Sequence, residues 1–198
     1  MNIKKLLGYA LGPIGGAAAS AVALPLISWY FPADDIGRIV LLQTVSSLVL
    51  IVLGLGLDQA YIREYHAADN RAGLLKAVLV LPLAFIAAAV LLVGVFDRAW
   101  PSEIILELNS ASVGLLCLIF MATMLLSRYL SVVLRMQERA YAFSFSQLTP
   151  KILILVIVLA YMLTGAAKST FNLIFAYTLA QILTTLVLLL QTKSELAR

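Results

Sequence analysis

The sequence predicts an all-α, polytopic membrane bundle of six transmembrane helices, and three observations carry that reading. Six long apolar runs follow one another, at about 6–31, 36–57, 77–96, 111–134, 148–167 and 171–190. A helix needs roughly 20 apolar residues to cross a hydrocarbon core of about 30 Å. The composition agrees: 63% of the 198 residues are hydrophobic and 12% are charged, and the mean hydropathy is +1.02. A soluble domain carries about 25% charged residues, so this chain lacks the polar surface to cover a globule in water. The third observation is charge placement. Of the 14 Lys and Arg, only Arg38, Arg98 and Lys168 fall at odd-numbered connections; the other 11 fall at the even-numbered ones and the termini. Basic loops stay cytoplasmic, so both termini are expected inside.

The first span begins at Lys4-Lys5 and resembles a signal peptide, with Ala19-Ser20-Ala21 as an imitation cleavage site. Gly8, Gly12, Pro13, Gly15 and Gly16 interrupt the would-be apolar core, and the apolar segment runs on to Phe31, so a retained helix is expected. Gly8, Gly12, Gly16 and Ser20 recur at steps of four. Small residues at that spacing let helix backbones approach closely in lipid and mark a packing seam. Pro13 and Pro25 each remove a backbone donor. Such breaks persist at membrane depth where protein or a water-filled cavity satisfies the freed carbonyls. The helix is therefore either a kinked structural rod or a cavity-lining hinge.

The turn Phe31-Pro32-Ala33-Asp34-Asp35-Ile36-Gly37 closes the first span and opens the second, with Asp34 or Asp35 as expected caps. Gln43, Thr44, Ser46 and Ser47 put polar groups in the outer half of the second span, where hydrogen bonds to other helices are expected and Gln43 is a candidate ligand. Asp58 and Gln59 end that span, and Asp58 either pairs with Arg63 or is solvated. Between the third and fourth spans, Trp100, Pro101, Glu103 and Glu107 suggest a short interfacial helix or an early start to the fourth span. Trp29, Tyr30 and Trp100 fall where an aromatic belt belongs. The fourth span carries Arg128 about two turns from its inner end, and Lys151 follows Thr149-Pro150 at the start of the fifth. A charge at membrane depth costs several kcal/mol and is kept where it faces a cavity or a partner; both side chains are also long enough to snorkel.

Catalytic signatures are absent. One histidine, His66, excludes a multi-His metal site from this chain alone, Cys117 stands alone in an apolar run, and no phosphate-binding glycine loop follows a strand. No enzyme activity, cofactor, metal or nucleic-acid partner is expected, the basic residues being spread along one membrane face and not gathered into a patch.

Three stretches carry a family resemblance: Phe31-Pro32-Ala33-Asp34-Asp35-Ile36-Gly37, then Gly54-Leu55-Gly56-Leu57-Asp58-Gln59-Ala60-Tyr61-Ile62-Arg63-Glu64-Tyr65, then Leu134-Arg135-Met136-Gln137-Glu138-Arg139-Ala140-Tyr141. Together with the glycine-rich first span they resemble the N-terminal half of the lipid-linked oligosaccharide (O-antigen type) flippases. These are polysaccharide exporters of the multidrug/oligosaccharidyl-lipid/polysaccharide superfamily. The resemblance implies a single six-helix lobe over 1–198 of a two-lobed transporter in the bacterial cytoplasmic membrane. It also implies a central cationic cavity for an anionic pyrophosphate-linked glycan, with Arg63 at the family's arginine position and Arg128 suited to the lining. Family members are roughly twice as long, so a second lobe is expected from a continuing or separate chain. The candidate ligands are Arg128, Arg63, Asp58, Lys151 and Gln43. Alternatives are a drug/cation antiporter lobe, which would place carboxylates in the spans, a membrane glycan polymerase, which would need a large outward loop, and a non-transporting assembly subunit.

Reporter fusions test the topology. Segments around Asp34, Trp100 and Lys168 should read outside, and those around His66 and Arg139 inside; an extracytoplasmic C-terminus contradicts the charge argument.

Overall fold

Eight helices and no strand make up the described residues of the computed structural model, which are 3–95 and 97–196, with side chains from 7 to 193 except 94 and 96. The Lys4-Lys5 side chains, Phe96 and Arg198 lie outside what is described. The helices are α1 (Ile3–Tyr30), α2 (Ala33–Gly54), α3 (Leu57–Glu64), α4 (Arg71–Val95), α5 (Trp100–Leu106), α6 (Ala111–Met136), α7 (Ala140–Thr164) and α8 (Thr170–Leu196). Six of them, all but α3 and α5, are long and apolar enough to span a membrane. This is an all-α, multi-pass membrane protein.

Several boundaries differ from the hydropathy reading, each for a physical reason. The second span ends at Gly54 and not at 57, because Leu55 (φ 45°) and Gly56 (φ 71°) are both left-handed and start a separate short helix. Asp58 therefore lies in the first turn of α3 and not on α2. The fifth span begins at Ala140, directly after a turn in which Glu138 is left-handed (φ 56°). Its first turns, rich in Ser, Gln and Thr, are too polar for a hydropathy window to count. Lys151 thus lies eleven residues into α7, about 17 Å from its start, and not at its mouth. Arg128 and Lys151 then leave the loop count, and the charge bias rests on nine residues against three. α4 and α8 likewise extend past the apolar runs that betray them.

α1 packs chiefly on α7, through its glycines. A Cβ on Gly12 would stand 2.9 Å from the Ser144 backbone and 3.2 Å from Gln147 Oε1, and one on Gly8 would stand 3.0 Å from Ala140 Cβ. The same contact satisfies proline-freed polar groups. Pro13 cannot donate to the Tyr9 carbonyl, and Ser144 Oγ approaches that oxygen at 3.4 Å while donating to the Gly8 carbonyl. α7 in turn packs on α8, and α8 on α6. The core lies where α2, α5, α6 and α8 meet, around Ile39, Leu42, Cys117, Phe120 and Leu173. A second cluster, with Tyr61, Leu75 and Tyr129, fixes α3 and α4 against α6.

Ties at the helix ends hold this arrangement. Asp35 does not cap α2; it is 6% exposed, accepts from Thr170 Oγ1 of α8 and pairs with Arg38 at 3.4 Å. The Tyr30 hydroxyl donates to the Tyr161 and Ala166 carbonyls at 3.0 and 2.6 Å, so Tyr30 stitches α1 to the end of α7, while Trp29 stays 85% exposed. Thr44, Ser46 and Ser47 bond back to the carbonyl four residues earlier in α2 and not to other helices.

Gly12→Val should overpack the seam and destabilise the purified protein by about 1–3 kcal/mol. Gly37→Ala should leave stability unchanged or raise it slightly, since nothing stands within 4 Å of the added Cβ. Thermal unfolding in detergent distinguishes the two; equal effects would contradict the seam.

Candidate functional site

Two cavities lined in part by polar groups lie along α7 and α8, at depths where the helices are otherwise apolar. The first, about 310 Å³, opens between α6, α7 and α8. Its polar lining is Ser127, Arg128 and Ser131 from α6, Ser146 and Gln147 from α7, and Gln181 and Thr184 from α8. Ser131 lies three residues after Arg128 and four after Ser127, within one turn of both, and Gln181 Nε2 donates to Ser127 Oγ at 2.7 Å. Pro150 also lines the cavity. Lacking an N–H, it leaves the Ser146 carbonyl, also at the cavity wall, without its helical donor.

Arg128 lies eight residues, about 12 Å, from the end of α6. Its Nη2 stands 2.8 Å from Asp58 Oδ2. The Asp58 side chain is nearly buried at 11% exposure, whereas that of Arg128 is 46% exposed. Asp58 is thus the partner of Arg128 and not of Arg63. The carboxylate's other oxygen accepts from its neighbour's amide, Gln59 N–H, at 3.0 Å. One N–H of the guanidinium is engaged, and no other partner exists for it among the described residues. The arginine fork therefore retains donors for a second acceptor.

The second cavity, about 270 Å³, lies between α1, α2, α7 and α8. Ser20, Gln43, Lys151 and Tyr177 line it, with Ala23, Leu24, Ile27 and Ile154 as apolar walls. Lys151 Nζ donates to Ser20 Oγ at 2.6 Å, and Ser20 donates in turn to the Gly16 carbonyl at 2.9 Å. Ser20 is therefore a partner for a mid-membrane ammonium as well as a small residue on α1. Lys151 Nζ keeps two further donors. Pro25 lies one residue after Leu24, in the part of α1 that walls this cavity.

The structure brings Arg128 and Asp58 together in one place, and Lys151, Gln43 and Ser20 in another. Arg63 joins neither group: it is exposed on α3 and lines neither cavity. The sequence reading did not single out Ser127, Ser131, Gln147, Tyr177, Gln181 or Thr184. A usable signal existed for some of them. Ser127-Arg128 with Ser131, and Gln181 with Thr184, are polar groups at helical spacing inside apolar spans. Among the described residues no cluster of His, Cys, Asp and Glu could hold a metal ion.

Comparison with known proteins gives no match, whether to a family model, a curated protein or a solved structure.

The ion pair should behave as a coupled unit. Asp58→Ala and Arg128→Ala should each lower stability, and the double variant should lose less than their sum by about 1 kcal/mol, after allowing for the half-exposed guanidinium. Additive losses in chemical unfolding would show that the two side chains act independently.

Proposed function

We propose that this chain forms one lobe of a transporter that moves an anionic, lipid-linked oligosaccharide across the bacterial cytoplasmic membrane, with both termini in the cytoplasm. The observation that carries this reading is Arg128: an ionised side chain, half exposed, inside a polar cavity that helices of apolar exterior surround. Keeping a guanidinium there costs several kcal/mol, and a diphosphate is a ligand that returns it. Arginine meets phosphate oxygens with a planar fork, which an ammonium cannot do. Lys151, in the second cavity, supplies a second cation along the same lobe.

The cavity sizes fit the charged link better than the whole substrate. A volume near 300 Å³ is at the lower end for ligand pockets, so it accommodates a phosphate group while the sugars and the lipid lie outside it. Gln147 and the second amide N–H of Gln181 supply neutral donors for such a group, whereas the Ser127, Ser131 and Thr184 hydroxyls donate to carbonyls of their own helices. A drug/cation antiporter fits less well, because Lys151 and Arg128 line the two cavities and, among the described residues, no carboxylate does. Transport sites form at the interface of repeats, so the partner in this reading is a second six-helix lobe, on the same or another chain, that closes these cavities from the opposite side. No cofactor and no nucleic acid enter the reading.

Co-expression with a second lobe should restore surface glycan to a flippase-null strain. Arg128→Lys should then cut rescue about tenfold, the loss of one bidentate charge-assisted contact, at unchanged membrane levels. Arg63→Ala should leave rescue within about twofold, because an exposed charge that lines neither cavity contributes little. Rescue by the 198-residue chain as an unaided monomer, or tolerance of Arg128→Ala, contradicts the proposal.

A further inference from the structure

The pair at the first cavity is built asymmetrically, and its surroundings contain a spare hydrogen-bond donor. Asp58 is 8% exposed, whereas the Arg128 side chain is 46% exposed and uses one N–H. Tyr129, the next residue on α6, is 2% exposed, and its hydroxyl makes no hydrogen bond among the described residues. That hydroxyl lies close enough to Asp58 and Arg128 to feel both charges. It also lies against the end of α2, 3.8 Å from where a Cβ on Gly54 would be. Asp58 itself sits on a short helix joined to α2 through two consecutive left-handed residues, Leu55 and Gly56. That joint can absorb a small rotation of α3 without disturbing α2.

We infer that Asp58 is a built-in counter-anion that occupies Arg128 until a phosphate-type ligand displaces it, and that the Tyr129 hydroxyl then receives the released carboxylate. The inference rests on the reading of Arg128 as an anion site and adds how that site is held before binding. A phosphate carries more charge than a carboxylate and offers more acceptor oxygens to the fork. A displaced, nearly buried carboxylate would otherwise stand unpaired, at considerable cost. A second donor beside the Gln59 amide lowers that cost, and the Tyr129 O–H, buried without a partner on the residue after Arg128, is the donor we assign to it. Exchange replaces the ion pair between α3 and α6 by a single hydrogen bond from Tyr129, a weaker tie, so occupancy of the cavity loosens α3. The internal competitor has a measurable consequence: apparent affinity falls by the fraction of molecules in which Arg128 is already engaged.

The test is calorimetric titration of the purified full chain with inorganic pyrophosphate at fixed ionic strength. Asp58→Asn should tighten binding by about tenfold, the factor that follows from removing one charge-assisted hydrogen bond that binding must break. Tyr129→Phe should weaken binding several-fold in the native background and have no effect in the Asp58→Asn background, and Arg128→Gln should abolish binding in both. Hydrogen exchange on the unsubstituted chain gives a readout independent of any variant's folding: pyrophosphate should speed exchange at amides 57–61. A rigid site would slow it or leave it unchanged, which overturns the inference. If Asp58→Asn leaves affinity unchanged or weakens it while Arg128→Gln still abolishes binding, the counter-anion role is wrong and the anion site stands. If neither the native chain nor Asp58→Asn binds pyrophosphate, both the inference and the anion reading fail.

Discussion

At membrane depth no bulk water is present to satisfy a donor, an acceptor or a charge, so each polar group there must find its partner in protein or in a cavity the protein makes. The architecture follows from how this chain meets that demand. Proline breaks in α1 are tolerable because α7 brings Ser144 to the carbonyls of Gly8 and Tyr9, and it can do so because the α1 seam is glycine. Thr44, Ser46, Ser47, Thr184 and Thr192 turn their hydroxyls back onto their own helices. Asp35 is buried with Thr170 and Arg38, and the Tyr30 hydroxyl reaches two carbonyls at the far end of α7. What remains is a small set of polar groups with donors to spare, chiefly Arg128, Lys151, Gln147 and Gln181, and they line the two cavities along α7 and α8.

α7 is the element that gives the lobe its functional shape. Its Pro150 and Gln147 line one cavity, and the adjacent Lys151 lines the other. A helix interior with a missing donor and an ammonium in successive positions is poor as a structural rod and suited to lining cavities that accept polar groups. The two cations differ in their surroundings. Arg128 is neutralised by a nearly buried carboxylate from α3, whereas Lys151 rests on a hydroxyl with no carboxylate beside it. A ligand with concentrated negative charge therefore meets a guarded site at Arg128 and an unguarded one at Lys151.

Much of this fold was legible in the sequence because hydrophobic length and charge asymmetry are global quantities, and a bilayer imposes them on every span. The six spans emerge on those grounds, while the short α5 near Trp100 was one of two readings that the spacing of Trp100, Pro101, Glu103 and Glu107 left open. The ends of the spans were not legible for a local reason. Ser144, Ser146, Gln147 and Thr149 dilute the hydropathy of α7, so Lys151 seemed to stand at a helix mouth when it stands near the middle. The break at Leu55-Gly56 hides inside an apolar run, and left-handed leucine has no sequence signal of its own. Arg128 and Lys151 were recognisable because an isolated charge in an apolar span is costly wherever it faces. Their partners, Asp58 and Ser20, lie 70 and 131 residues away, and no spacing rule connects positions brought together by tertiary packing alone. The polar lining on α8 was readable in part, since Gln181 and Thr184 share one helical face.

The central claim is that the faces of α6 and α7 around Arg128 and Lys151 are wet and face a path, while the remaining apolar exterior faces lipid. Single cysteines at Ser131, Gln147 and Lys151, compared with one at the exposed, apolar Leu91 of α4, test this directly in a background where buried Cys117 is replaced by alanine. The measurement is the rate of labelling by a water-soluble thiol reagent in membranes open to both sides. A cavity-lining thiol meets hydroxide and reagent from water, whereas a thiol in hydrocarbon stays protonated and unreactive. The account predicts fast labelling at 131, 147 and 151 and almost none at 91, with inorganic pyrophosphate slowing the rate at 131 and 147. Equal, slow labelling at all four positions would mean that these faces are buried in lipid, and would contradict it.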